Sequence, residues 1–257
     1  MNNFIKKVTA VLATTAITFS LGLPAFAAEI NEPTMSVEAM QIQNMSDEEF
    51  DAFVVRTVND KIDAGKSEAE IQAYFAQLGL EFDAHIDDIS NYSISPDRGL
   101  TPSIFAMKRG NEKFHRVYAQ AKFNEKELRP AIEDIMSLEW DTSKVTYDGC
   151  TAGDFTSKRG ESNPNAGIIF FNVNDSSMGV NDIAYGVAHL ILNSGAKNIH
   201  VQTTYIHTYN TTDVTWSGGI EIKYDKALQA GGSFSLSGSN QGHSISFWED
   251  NHLNYTN

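Results

Sequence analysis

Apolar residues first recur at helical spacing along this chain and later give way to strict alternation. Phe50, Phe53, Val54, Thr57, Val58, Lys61 and Ile62 fall on one largely apolar stripe, the 3.6-residue pattern of a helix with one buried face. Ser46-Asp47-Glu48-Glu49 stands just before it. The Ser46 hydroxyl can accept from the Glu49 amide and the Glu49 carboxylate can reach back, which is a capping box. Gly65 supplies a left-handed stop. Ser67-Glu68-Ala69-Glu70 repeats the capping signature, and Ile71, Tyr74, Phe75 and Leu78 form a second stripe that ends at Gly79. The pattern predicts a helical hairpin over residues 46–82 whose stripes bury each other.

The flanking stretches lack such order. Residues 28–45 are polar and irregular and read as a flexible leader. Residues 83–110, with Asp83, Asp87 and Asp88 around His85 and prolines at Pro96 and Pro102, read as a linker. The carboxylates there match neither the spacing of an EF-hand nor that of a zinc site. At 114–123 the period becomes two. His115, Val117, Ala119, Ala121 and Phe123 face one way, and Phe114, Arg116, Tyr118, Gln120 and Lys122 the other, as in a half-buried strand. Glu125–Met136 reads as a short helix with Pro130 in its first turn, and Leu138-Glu139-Trp140 opens a further strand.

From Ala166 strand follows strand. Ile168–Asn174 and Ala184–Leu192 are apolar runs between turn residues. Ile199, Val201, Thr203, Tyr205, His207 and Tyr209 alternate with His200, Gln202, Thr204, Ile206 and Thr208. Segments 214–224 and 232–247 alternate apolar residues with Ser, Thr, Gly or charge. Short alternating strands joined by turns, with no helices between them, indicate an antiparallel sandwich over 111–257. The fold class is therefore α+β, an N-terminal helical hairpin followed by an antiparallel β-sandwich-like domain.

The first 27 residues belong to a different class. Lys6 and Lys7 precede an apolar run from Val8 to Leu23 and then Pro24-Ala25-Phe26-Ala27, the pattern of a secretory signal peptide cut between Ala27 and Ala28. The run is short for a bilayer span and carries Thr9, Thr14, Thr15, Thr18 and Ser20. Losing Lys6 and Lys7 moves the formal charge from −14 to −16. So acidic a surface repels nucleic acid and anionic bilayers, so neither is an expected partner, and membrane contact is expected only through the C-terminal strands. Their alternation also fits a transmembrane β-hairpin. Residues 166–257 carry little of the charge and are rich in Ser, Thr, Asn, Gly and Tyr.

Chemistry is sparse. Cys150 is the only cysteine, which excludes an internal disulfide and leaves a nucleophile or an intermolecular bridge as its functional options. The chain has no His-Glu-x-x-His, Gly-x-Ser-x-Gly or phosphate-loop motif, and no cofactor is expected. If Ser194-Gly195 is a two-residue hairpin turn, His189 faces His200 across a ladder, a pair able to bind zinc or respond to acid. A longer loop removes that pairing. The adjacent carboxylates Asp87-Asp88 and Glu133-Asp134 do not by themselves make the separated pair of a glycosidase. Tyr205, Tyr209, Trp216 and Trp248 are the aromatic side chains able to stack on sugar rings.

The segments Tyr205–Trp216, Trp248-Glu249-Asp250-Asn251 and Phe170–Asp175 resemble the C-terminal region of the large geobacillin-type bacteriocins of Gram-positive bacteria. The resemblance covers roughly the last ninety residues. It implies a secreted, non-enzymatic antibacterial protein acting on the envelope of neighbouring bacteria, with an envelope component or glycan as partner. The first alternative is an extracellular polysaccharide- or protein-binding sandwich module. The second is an unfamiliar extracellular hydrolase using Cys150 or the histidines. No oligomeric state is implied. Processing is directly measurable: the intact mass of protein from culture supernatant should correspond to a chain beginning at Ala28, and recovery of the uncut chain in the membrane would refute the signal peptide.

Overall fold

The computed structural model describes residues 36–83, 100–110, 112–125, 134–197, 199–209, 221–224, 234–237 and 243–253, all within the unit Met35–Asn257. The segment that the sequence pattern marks as a signal peptide, with Ala27 and Ala28, the acidic segment around His85, and Trp216 lie outside the described residues. Among the described residues three helices come first, α1 (Val37–Gln43), α2 (Asp47–Asp63) and α3 (Glu68–Gln77), and twelve strands follow. They are β1 (Leu80–Asp83), β2 (Leu100–Arg109), β3 (His115–Phe123), β4 (Asp134–Trp140), β5 (Val145–Ala152) and β6 (Thr156–Lys158). The chain continues with β7 (Ile168–Val173), β8 (Ile183–Leu192), β9 (Ile199–Tyr209), β10 (Glu221–Tyr224), β11 (Phe234–Ser237) and β12 (His243–Leu253).

Two five-stranded antiparallel sheets stack face to face, ordered β1-β2-β3-β8-β5 and β12-β9-β4-β7-β6, while β10 and β11 pair separately. The fold is thus a few helices on a β-sandwich. One core fills the space between the sheets. The first sheet contributes Ala106, Ala119, Ala121, Ala184 and Ala188 among larger residues such as Leu100, Ile104, Phe123 and Leu190, and the second contributes Met136, Leu138, Trp140, Phe171 and Tyr205. Small residues opposite large ones let the walls interdigitate at crystal-like density. Gly186 shows how close the approach is, since a Cβ there would lie 2.5 Å from the Phe171 ring.

A second core lies on the other side of the first sheet. Phe50, Val54, Val58, Ile71 and Phe75 of the helices pack there with Phe105, Met107, Tyr118 and Val187 of β2, β3 and β8. Burying each large apolar side chain contributes about 1.5–3 kcal/mol. Both capping boxes form, at Ser46 with Glu49 and at Ser67 with Glu70, and Gly65 and Gly79 are left-handed at φ +70° and +72°. The buried arc of α2 is turned from the expected stripe: Phe53 is only half-buried, whereas Asp51, Val55 and Asn59 are buried.

That turn has a cause on β3. The strand has the expected alternation but is not half-buried, because its polar row Arg116, Tyr118, Gln120 and Lys122 lies under α2. The helix answers with Asp47, Asp51, Asn59 and Asp63, each on one i, i+4 row. Arg116 donates to Asp47 at 2.6 Å, to Asp51 at 3.2 Å and to Glu112 at 2.8 Å. Tyr118 donates to Asp51 at 2.6 Å, Asn59 to Gln120 at 3.0 Å, and Lys122 to Asp63 at 2.5 Å. Burial pushes the Asp51 carboxyl above its ordinary range, outweighing the Arg116 charge and the hydroxyls of Thr151 and Tyr118. Burial also raises Asp47, but less, so Arg116 holds that half-exposed carboxyl below its ordinary range.

Three further expectations change. The leader contains α1, capped by Ser36, with Ala39 and Ile42 buried. The linker contains β2, a full strand despite Pro102. β1 reaches only to Ala106 along β2, so among the described residues Pro102 has a ladder partner on one side only, where a missing N–H is tolerated. Asp134–Met136 is strand rather than helix, since β4 is the centre of its sheet and its ladder with β7 and β9 outweighs local helical spacing.

The polar row makes graded predictions. Arg116→Met should leave the Asp51 carboxyl buried without its cation and destabilise by about 3–5 kcal/mol, whereas Lys122→Met should cost under about 1 kcal/mol. Urea unfolding of the two variants measures both, and equal costs would refute the ranking. A second expectation concerns acid. Burial, with Lys108 nearby, lowers His115 to about 4, so it stays neutral in the folded protein while the unfolded chain takes up a proton. Its contribution is complete above the ordinary imidazole value and is lost as pH falls toward 4. Relative to His115→Phe, the parent should lose on the order of 2 kcal/mol between pH 6.5 and 4 in parallel denaturant titrations.

Candidate functional site

One end of the sandwich, where β4 begins and β7 and β9 finish, gathers ionisable side chains in the interior. The register explains the meeting. β4 pairs with both neighbours, placing Asp134 opposite Val173 and Ile135 opposite Ile206, so Asp134 sits beside the last turns of β7 and β9. Met136, Leu138 and Trp140 share the inward face of β4 with Asp134, and Val201 and Tyr205 share that of β9 with His207. Asp175 opens the short 3-10 turn Asp175–Ser177 just after β7.

Asp134, Asp175 and His207 are 0%, 1% and 3% exposed. One ligand atom from each lies within 4.8 Å of the others. His207 Nδ1 is 2.7 Å from Asp134 Oδ2 and 4.0 Å from Asp175 Oδ2. The Tyr205 hydroxyl donates to Asp134 Oδ2 at 2.6 Å. Two carboxylates and an imidazole can here share protons or hold a cation, and the phenol fixes one carboxylate from outside.

Two other places bring polar groups together. Around Arg116, the His189 ring stacks on Phe114 at 4.4 Å and its Nε2 lies 3.4 Å from the guanidinium. Burial and the Arg116 charge together lower His189 below the ordinary imidazole range. This cluster ties the helix layer to the sheet. A cleft of about 310 Å³ opens beside α2, lined by Arg56, Asp63, Lys122, Asp182 and Tyr185 among others.

The residues singled out from the sequence are dispersed. His189 and His200 do not face each other: β8 belongs to the first sheet and β9 to the second, so His189 pairs with Arg116 and Gly149, and His200 with His252. The connection after β8, with Gly195 at φ +76°, leads to the other sheet instead of closing a hairpin. Tyr205 is fully buried, so its ring is core rather than a sugar platform. Tyr209 ends β9 opposite His243, and Trp248 lies on β12 opposite Thr204. Cys150 is half-buried on β5 opposite Ala188. The Asp134–Asp175–His207 centre was missed because its members are far apart in sequence. The usable signal was His207 on the same alternating face as Ile199, Val201 and Tyr205, an ionisable side chain on an apolar row.

β9 and β12 form the longest ladder of the second sheet, closing at Tyr209 opposite His243. The chain between them, residues 210–242, includes the β10–β11 ribbon, in which Ile222 pairs with Leu236 and Tyr224 with Phe234. No described helix is long and apolar enough to cross a membrane.

No protein-family model matches the chain, and no curated protein matches it. Among solved structures it is similar to the seventh ScaB type I cohesin from Pseudobacteroides cellulosolvens, at 16% identity over 36% of this chain and 69% of that one, with a TM-score of 0.26. It is likewise similar to the sixth cohesin from Acetivibrio cellulolyticus scaffoldin B, solved with a Cel5 dockerin, at 15% identity over 37% of this chain and 75% of that one, with a TM-score of 0.27.

Proposed function

We propose that the chain is an exported, non-enzymatic binding module that engages a protein or an uncharged polysaccharide on the envelope of other bacteria through residues 210–242. The observation that carries this reading is the β9–β12 ladder, which delivers both ends of that segment to one end of a sandwich. Loops held by a rigid sandwich are where such folds place binding residues. The segment also contains Trp216 among Ser, Thr, Gly and Asn, a composition suited to stacking and hydrogen bonding. The acidic charge of the whole chain favours partners that are not themselves anionic.

A second reading, bacteriocin-like killing, is favoured by the alternation of apolar residues with Ser, Thr, Gly or charge over 214–224 and 232–247, a sequence pattern that suits contact with an apolar part of an envelope. One deletion serves both. A variant joining Tyr209 to His243 through an Asn-Gly turn should keep its circular dichroism and lose co-sedimentation with cell-wall sacculi of Gram-positive strains. Undiminished co-sedimentation would overturn the assignment to 210–242. Growth inhibition by the parent and not by the deletion variant would establish the second reading.

A further inference from the structure

We propose that Asp134, Asp175 and His207 form a binding site for a divalent transition-metal ion of the zinc class. The first ground is geometry. The donors come from β4, the turn after β7, and β9, and their ligand atoms lie within 4.8 Å of one another. In tetrahedral zinc, with bonds of about 2.0–2.2 Å, donor atoms sit about 3.3 Å apart. The separations of 2.7 Å and 4.0 Å from His207 Nδ1 to the two carboxylates bracket that value. Small side-chain rotations bring all three onto one ion.

Charge is the second ground. Two carboxylates at 0% and 1% exposure carry a steep desolvation cost when ionised, and a dication between them balances both charges. The third ground is the donor set. One imidazole nitrogen with two carboxylates suits zinc and its neighbours, whereas calcium and magnesium prefer more ligands, all oxygen, and copper(I) prefers sulfur. The Tyr205 hydroxyl on Asp134 is the outer hydrogen bond that orients a metal-binding carboxylate.

On binding, the His207 Nδ1 that lies 2.7 Å from Asp134 would direct its lone pair to the metal. The bound ion would tie β4, β9 and the turn after β7 together at the end from which β9 runs on toward residues 210–242. The site is independent of what that segment binds.

The test uses the purified chain stripped with EDTA and titrated with cobalt(II), then zinc. The expected result is one equivalent of cobalt with visible d–d absorption, displaced by zinc, and a thermal midpoint raised by zinc. Tyr205→Phe, which keeps the ring and loses the hydroxyl, should stay folded and weaken cobalt binding by roughly ten- to a hundredfold. Asp175→Asn should abolish the absorption while circular dichroism stays that of the parent. Absence of both cobalt absorption and a zinc-dependent shift in the folded parent would overturn the proposal, as would stabilisation by calcium and not by zinc. Absorption that survives in both Asp175→Asn and His207→Gln would place the metal elsewhere and overturn it too. The parent titration decides the matter even where a variant fails to fold.

Discussion

A strand can bury a row of polar side chains only when a neighbour supplies partners at the same repeat. β3 meets that requirement through α2. Two residues along a strand advance about 6.7 Å, and four along a helix about 6 Å, so a polar row on one runs nearly in step with an i, i+4 row on the other. Arg116, Tyr118, Gln120 and Lys122 thereby find Asp47, Asp51, Asn59 and Asp63. Much else follows from this match. It orients α2, so that Phe50, Val54 and Val58 fall on Phe105 and Met107. It also covers the face of the first sheet that the sandwich leaves open. Unpaired, the same row would carry the heavy cost of buried polar groups without partners.

The sandwich obeys a different constraint, complementarity of volume. Alanines on β2, β3 and β8 and the glycine at 186 let Phe171, Tyr205 and Trp140 of the opposite sheet come close. Filling both walls requires the chain to pass repeatedly from one sheet to the other. β3, β5 and β8 belong to the first sheet, and β4, β6, β7 and β9 to the second. Sequence neighbours are therefore rarely partners in this region.

That topology concentrates chemistry at one end. β4, β7 and β9 are adjacent in the second sheet, so Asp134, Asp175 and His207 meet although they are separated by long stretches of chain. From the same end β9 continues toward residues 210–242, and β12 returns from them. A buried ionisable centre and the segment proposed to bind a partner thus share a foundation in β9.

Periodicity and capping were readable from residues alone. Ser46 and Ser67 with their glutamates, the glycines at 65 and 79, and the alternation of 114–123 and 199–209 describe structure that neighbours in sequence build through local geometry. What lay beyond reach was whatever depends on a distant partner. Pro102 argued against a strand until β3 was placed beside it, and the helical spacing before Met136 gave way to a central ladder. His189 and His200 are close in sequence yet lie in different sheets, whereas His207 and Asp134 are far apart and hydrogen-bonded. Alternation tells which side chains share a face, but not what that face will meet. Only the tertiary structure decides that, because strand pairing is chosen by the burial of two faces at once, and the residues that bury them come from anywhere along the chain.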